Sequence, residues 1–431
     1  MRIPLAHALL TLGFSGLLAG CGGDSADTTQ TAPAPAATKP AAKAAPLQVN
    51  MLLELSGGMK GFMPVTTAAQ QPTAFQQLVS QLASRTHSSP AVQEARFWLV
   101  RKDAPTTVPY AHFRDVVQGD TREAALGTEL PTMLEKTLAL PGATSKVSVL
   151  TSDFIYGPDK PSDVALMNVR ITDALAAATK NQLAVAVLGE TSRFSGTYFP
   201  AVKTPRRQQT LKGATLPYYL WVLGPPAAVG RYLNEVVPAS ANSAEQAYFG
   251  LNFKQVPYAA VLTQVTAGSP LAPSGAGSIS YAGAQASTSL EVSDVKEGVD
   301  FTVALDLSQL PAAWREPAFL AQNLRVTLPG GAAQLLPGSV RALGGTPGLD
   351  GYTHALRLHL SALPKGGATL TLALPAPGVP AWVSRWSTEN DNQPGAQPRT
   401  YRLQEILNGV REAFPAQLPP VFTATFTLSA S

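Results

Sequence analysis

The apolar pattern of this chain changes near residue 240, and that change constrains the fold more than any single motif. Before it, short, nearly continuous apolar runs alternate with segments of helical spacing. Val49, Met51, Leu52 and Leu53 form the first run, and Phe97-Trp98-Leu99-Val100 the second. Val147, Val149 and Leu150 form the third, Leu183 to Leu188 the fourth and Tyr218 to Leu223 the fifth. Such runs read as strands covered on both faces. Between them, Phe75, Leu78, Val79 and Leu82 recur at helical spacing, as do Leu130, Met133, Leu134 and Leu138, and then Val164, Met167, Ile171 and Leu175. Pro225-Pro226 opens a further predicted helix. Strand and helix in alternation predict an α/β, doubly wound, Rossmann-like domain over residues 47–240, with a mostly parallel sheet.

Beyond residue 240 the period becomes two. Val299, Phe301, Val303, Leu305 and Leu307 alternate strictly, as do Leu356, Leu358 and Leu360, then Leu370, Leu372 and Leu374, then Phe422, Ala424, Phe426 and Leu428. With Gly/Pro turns between them, these predict antiparallel strands in a β-rich, sandwich-like domain over 241–431. One helix near 402–414 interrupts it, carrying Leu403, Ile406, Leu407, Val410 and Phe414. Residues 266–288, rich in Gly, Ala and Ser, read as a loose connector. The chain of 431 residues exceeds the usual single domain, so two domains are expected.

The only cysteine is Cys21, so no disulfide framework supports either domain. It follows Met1-Arg2 and an apolar run from Leu5 to Leu18, the layout of a secretory leader over residues 1–20. Leu18-Ala19-Gly20-Cys21 resembles the bacterial lipobox. That resemblance implies cleavage before Cys21, acylation of its thiol and attachment to a membrane by lipid. By resemblance to the proteobacterial sorting rule, Gly22 rather than an aspartate directly after Cys21 implies the outer membrane of the cell envelope. Residues 21–46, mostly Ala, Pro and Thr with other small or polar residues, read as a flexible linker. The net charge of +4 is small for this length, and Arg206-Arg207 with Lys203 reads as a solvated loop. No basic stretch is dense enough to argue for nucleic acid.

Ligands of a doubly wound sheet gather outside the carboxyl ends of its strands. There the first strand runs into Glu54-Leu55-Ser56-Gly57-Gly58-Met59-Lys60-Gly61, and the third ends in Thr151-Ser152-Asp153. Thr128 and Thr132 flank the start of the helix between them. The arrangement resembles a von Willebrand factor A-type domain. That family builds a metal-ion-dependent adhesion site from Asp-x-Ser-x-Ser after the first strand, a distant Thr and a later Asp. The resemblance places Glu54 at the first Asp, Ser56 and Gly58 at the two serines, Thr128 or Thr132 at the Thr, and Asp153 at the last Asp. It implies Mg2+ or another divalent cation and a protein partner whose acidic side chain completes the coordination. Glu54 is one methylene longer than Asp, and Gly58 brings no side-chain oxygen, so the site is degenerate. The same loop also reads as a tight strand-to-helix turn or as an anion-binding helix start with Lys60.

No histidine of His87, His112, His354 and His359 has zinc-ligand spacing, and no nucleophile elbow is present in the mature chain. Thr191 to Phe199 mixes aromatic and hydroxyl residues, suiting a contact surface or a packed loop. Trp382 and Trp386, followed by Glu389-Asn390-Asp391-Asn392, suit either a sugar- or calcium-binding loop or a long turn with buried tryptophans. The expected function is that of a non-enzymatic envelope lipoprotein that binds a protein partner. The alternatives are a metal-assisted hydrolase using Asp153 and Glu54, and a glycan-binding module on Trp382 and Trp386.

Overall fold

The computed structural model describes residues 45–431, apart from 68–70, 103, 126–128, 157–160, 181, 239, 242–243, 254–255, 263–273, 276, 282–287, 345–348 and 350. The leader, Cys21 and nearly all of the linker lie outside the described residues, as does Thr128. No helix among the described residues is long and apolar enough to cross a membrane.

The first half builds a mixed sheet from seven strands: β1 (Leu47–Glu54), β2 (Val92–Val100), β3 (Thr106–Val108), β4 (Val147–Ser152), β5 (Ala184–Tyr198), β6 (Gln209–Gly224) and β7 (Glu245–Phe249). Their spatial order is β3-β2-β1-β4-β6-β5-β7. Helices α1 (Ala74–Ser88), α2 (Tyr110–Val117), α3 (Leu130–Leu138), α4 (Pro161–Ala165), α5 (Met167–Thr179) and α6 (Pro226–Glu235) connect them. The parity of β1 sorts the two faces. Val49, Met51 and Leu53 pack with Phe75 and Leu78 of α1, Phe113 of α2 and Val229 of α6. Leu52 packs with Met133 of α3, Ile171 of α5 and Ile406 of the helix Leu403–Glu412. Thr73 caps α1, its side chain accepting from Gln76 N while the Gln76 side chain accepts from Thr73 N, which fixes where the chain turns back after β1.

The sheet is not mostly parallel, as the sequence leads one to expect. Only β2, β1 and β4 run parallel to their neighbours within that core. β4 meets β6 antiparallel, and β5 pairs antiparallel with both β6 and β7. The physical reason lies between the fourth and fifth apolar runs. Thr191–Phe199 has no helical spacing; Ser192, Phe194 and Tyr198 turn inward, so β5 simply continues and returns as β6 in a long hairpin.

The second half forms a short two-stranded sheet, Ser387–Thr388 with Thr400–Tyr401, and two larger ones. One orders Ser278–Tyr281, Ser289–Ser293, Phe422–Ala430, Ala368–Leu374 and Arg325–Thr327; the other orders Ala332–Leu335, His354–Ala362, Val299–Leu305 and Tyr258–Ala260. Their apolar faces meet, with Phe426 edge-on to both Phe301 and Tyr258. The Ser278–Tyr281 strand lies inside the stretch expected to be a loose connector, much of which falls outside the described residues. From Ala44 to Ser431 the chain forms one contact unit. The helix Leu403–Glu412 packs on α5, where Thr172 Oγ1 donates to Gly409 O at 2.9 Å.

After β1 the chain makes one short helical turn, Met59–Phe62, that sits under the β5–β6 hairpin. Phe62 packs against Phe75, Phe194 and Tyr218 in a closed aromatic cluster. Gly61 permits that approach: a Cβ there would lie 2.3 Å from Phe194 Cζ, and the Phe194 ring is buried. Gly61→Ala should therefore destabilise the protein by about 2 kcal/mol through overpacking. Urea unfolding measures this; an unchanged midpoint would show that the ring moves aside freely.

Candidate functional site

The loops after β1 and β4 leave the sheet side by side because those strands are adjacent and parallel, with Leu53 opposite Thr151 near the end of the ladder. Glu54 is 5 % exposed, Ser56 5 % and Asp153 8 %. Ser152 Oγ donates to Glu54 Oε2 at 2.5 Å and accepts from Phe154 N at 3.0 Å. Ser56 Oγ accepts from Met59 N at 3.3 Å, tying the helical turn to the strand end. Asp153 Oδ1 accepts from Ile155 N at 3.1 Å. Its Oδ2 faces the first loop. A Cβ on Gly58 would lie 3.4 Å from Asp153 Oδ2 and 3.6 Å from Ser56 Oγ. Two side-chain oxygens from loops far apart in sequence thus face one small space across Gly58.

A third segment closes the side of this loop. Gly57 N donates to Ala125 O at 3.0 Å, and Ala125 N donates to Leu55 O at 3.2 Å. Ala125 stands three residues before Thr128, which lies outside the described residues. Thr132 sits half-buried in the first turn of α3. No hydrogen bond among the described residues joins it to Glu54, Ser56 or Asp153.

Burial and the nearby Asp153 charge push the Glu54 carboxyl up to about 8, against the hydrogen bonds from Ser152 and Ser56 that favour its anion. Burial likewise raises Asp153 to about 6, with the Asp391 charge adding to it. No cationic side chain among the described residues offsets either group. The site is therefore a buried acidic patch lined by hydroxyls. Among the described residues no three His, Cys, Asp or Glu side chains gather as a metal cluster, so a cation here would take hydroxyl and solvent oxygens as well.

The family motif singles out Asp153 and gives Ser152 no part. Tyr198 and Asp391 belong to two segments that stand out in the sequence, but no local signal pairs them: Tyr198 Oη donates to Asp391 Oδ2 at 3.1 Å, beside a crevice that Asp153, Ile155 and Arg399 also line. That crevice holds about 240 Å³ including its open mouth. Asp391 is committed elsewhere, accepting from Ala201 N at 2.6 Å and Val202 N at 3.0 Å. Trp382 is buried, edge-on to Trp386, and its Nε1 donates to Gln246 O at 2.9 Å. His354 and His359 face opposite sides of their strand: His354 Nε2 meets Arg315 O at 2.8 Å, and His359 Nδ1 meets Asp300 Oδ1 at 2.6 Å.

No protein-family model matches the chain, and neither a curated protein nor a solved structure is similar to it.

The raised carboxyls set a pH dependence. The folded chain holds the Glu54 proton more tightly than the unfolded chain does. That contribution to stability is complete below the unfolded value of 4.5 and is lost as pH rises through about 8. For Asp153 the corresponding window runs from 3.8 to about 6. In chelator, thermal unfolding should therefore show a lower Tm at pH 8 than at pH 4.5, and Glu54→Gln should remove much of that decline. A wild-type Tm that rises over this interval would contradict the assignment.

Proposed function

We propose that this protein is a non-enzymatic lipoprotein of the cell envelope, anchored at the outer membrane through Cys21, whose von Willebrand factor A-like sheet edge binds a protein partner. The observation that carries this reading is the convergence of Ser56 and Asp153 on the space in front of Gly58. In the family that Glu54, Ser56 and Asp153 resemble, that space holds a cation.

The residues fit such an ion in part. Hard divalent cations take oxygen ligands, and Ser56 Oγ and Asp153 Oδ2 both face the space. Glu54 stands behind them, held by Ser152, and offers no open oxygen of its own at the front; its carboxyl, pushed up to about 8, adds negative charge once a cation draws off its proton. Gly58 leaves room for water where the family has a hydroxyl. Two buried acidic groups, neither of them offset by a positive charge among the described residues, also favour a cation over an anion at this loop. When bound, the ion would supply an open coordination position for an acidic side chain of the partner. The chain's own part is to hold Ser56 and Asp153 apart at fixed spacing, through the Met59 N–Ser56 and Ile155 N–Asp153 hydrogen bonds.

Gly58 offers a direct test. Its backbone, at φ −65 and ψ −41, accepts any residue, so Gly58→Ser restores a third oxygen without strain. Titration with Mn2+, followed by electron paramagnetic resonance, should give binding to the wild type that is about tenfold tighter in Gly58→Ser, from the added ligand. Asp153→Ala should abolish it. Equal Mn2+ binding in wild type and Asp153→Ala would overturn the cation site.

A further inference from the structure

The β5–β6 hairpin does more than complete the sheet. β7 pairs with β5 only over Val185–Gly189, and β4 pairs with β6 only over Tyr219–Leu223. Beyond those residues the two strands pair with each other alone, from Glu190 opposite Tyr218 out to Tyr198 opposite Gln209. Since β4 and β5 are both antiparallel to β6, they run the same way, and the arm rises from the edge that carries Ser56 and Asp153. The chain enters the fold at Leu47, at the opposite edge. The arm leans over the candidate site: Phe194 covers Gly61, and Phe199 lies 3.6 Å from a Cβ built on Gly57.

The tip of this arm is basic. Lys203, Arg206 and Arg207 are all exposed, and Arg193 and Lys212 add two exposed cations along the arm. None of the five pairs with an acidic side chain among the described residues. Lys203 Nζ donates only to Pro200 O, at 2.8 Å. The loop that carries the tip cations is nevertheless held firmly at its stems. Asp391 takes the amides of Ala201 and Val202. Asn392 Nδ2 donates to Val202 O and, at 3.1 Å, to Thr204 O. On the returning strand, Gln209 Nε2 donates to Asn392 O at 2.9 Å. A buried carboxylate and a buried amide thus fix the loop from behind while its outward charges stay uncompensated.

We propose that the hairpin tip from Lys203 to Arg207 is a preformed contact surface for an acidic segment of a protein partner. Unpaired cations on a fixed loop attract an anionic partner at long range and lose little freedom on docking. An acidic segment fits better than a lipid surface because the exposed charges of the tip are not accompanied by an apolar face. Among the described residues, Phe199, at 38 % exposure, is the one exposed large apolar side chain beside the cluster, too little to insert among acyl chains. This inference shares with the reading above only the expectation of a protein partner. It does not require the cation.

The test uses the purified mature chain in chelator and a fluorescein-labelled oligoglutamate peptide as probe, followed by fluorescence anisotropy. The wild type should bind, more weakly as salt rises. Combining Lys203→Ala, Arg206→Ala and Arg207→Ala should weaken binding about tenfold, the scale of three exposed charge contacts, with an unchanged circular dichroism spectrum. Combining Lys296→Ala, Arg325→Ala and Lys365→Ala, which removes equal charge from the C-terminal sheets, should leave binding intact. Equal losses in both variants would reduce the effect to net charge and overturn the proposal, as would the absence of wild-type binding. Binding to vesicles of equimolar phosphatidylglycerol and phosphatidylcholine through the same three residues, without binding to the peptide, would assign the surface to a membrane instead. Because chelator is present throughout, failure here leaves the Mn2+ result untouched, and failure of Mn2+ binding leaves this one standing.

Discussion

The parallel pairing of β1 with β4 is the constraint on which the candidate site depends. Parallel neighbours end at the same edge, so the loops after Glu54 and Ser152 must emerge together although about a hundred residues separate them. The pairing is secured from both faces, by Phe75 and Phe113 on one side and by Met133 and Ile171 on the other. The edge is then sharpened by short polar contacts. Ser152 bridges Glu54 to the backbone of Phe154, whose left-handed conformation (φ 56) turns the chain away while its ring stacks on Tyr219. A non-glycine residue held in that region stores strain, while the hydrogen bond from Ile155 N holds Asp153 Oδ1 and leaves its Oδ2 facing Gly58.

Much of the helix and strand content was legible in the sequence because it rests on local period. The helices over Ala74–Ser88, Leu130–Leu138 and Leu403–Glu412 bury most of the residues whose spacing announced them, with Leu138 half-buried and Phe414 just past the end of its helix. Strand direction was not legible. Leu183–Leu188 and Tyr218–Leu223 are covered on both faces, and such runs look the same whether their neighbour is parallel or antiparallel. The hairpin also hid its outer half, because Thr191–Tyr198 gains its burial from the Met59–Phe62 turn and from the loop around Asp391 rather than from a second sheet.

The candidate site divides in the same way. Ser56 and Asp153 stood out by motif and position, and the structure brings them together. Thr132 is marked by its place at a helix start, which fixes its backbone but not its distance from the other two. Asp391 and Asn392 were conspicuous as a polar cluster, yet nothing local tells whether such groups face solvent or the chain. Here they face the chain, spending their hydrogen bonds on the stems of the basic loop. A buried acid and amide on one side and Lys203, Arg206 and Arg207, without an acidic partner among the described residues, on the other form one device, in which the polar groups behind the loop hold the charges in front of it.

The space between the two loops either takes a cation or stays empty. Crystals soaked in Mn2+ and measured at an anomalous wavelength answer this directly. We expect an anomalous peak within about 2–2.6 Å of both Ser56 Oγ and an Asp153 carboxylate oxygen, with water in front of Gly58. A map with Mn2+ ordered elsewhere on the protein and nothing between Ser56 and Asp153 would contradict it.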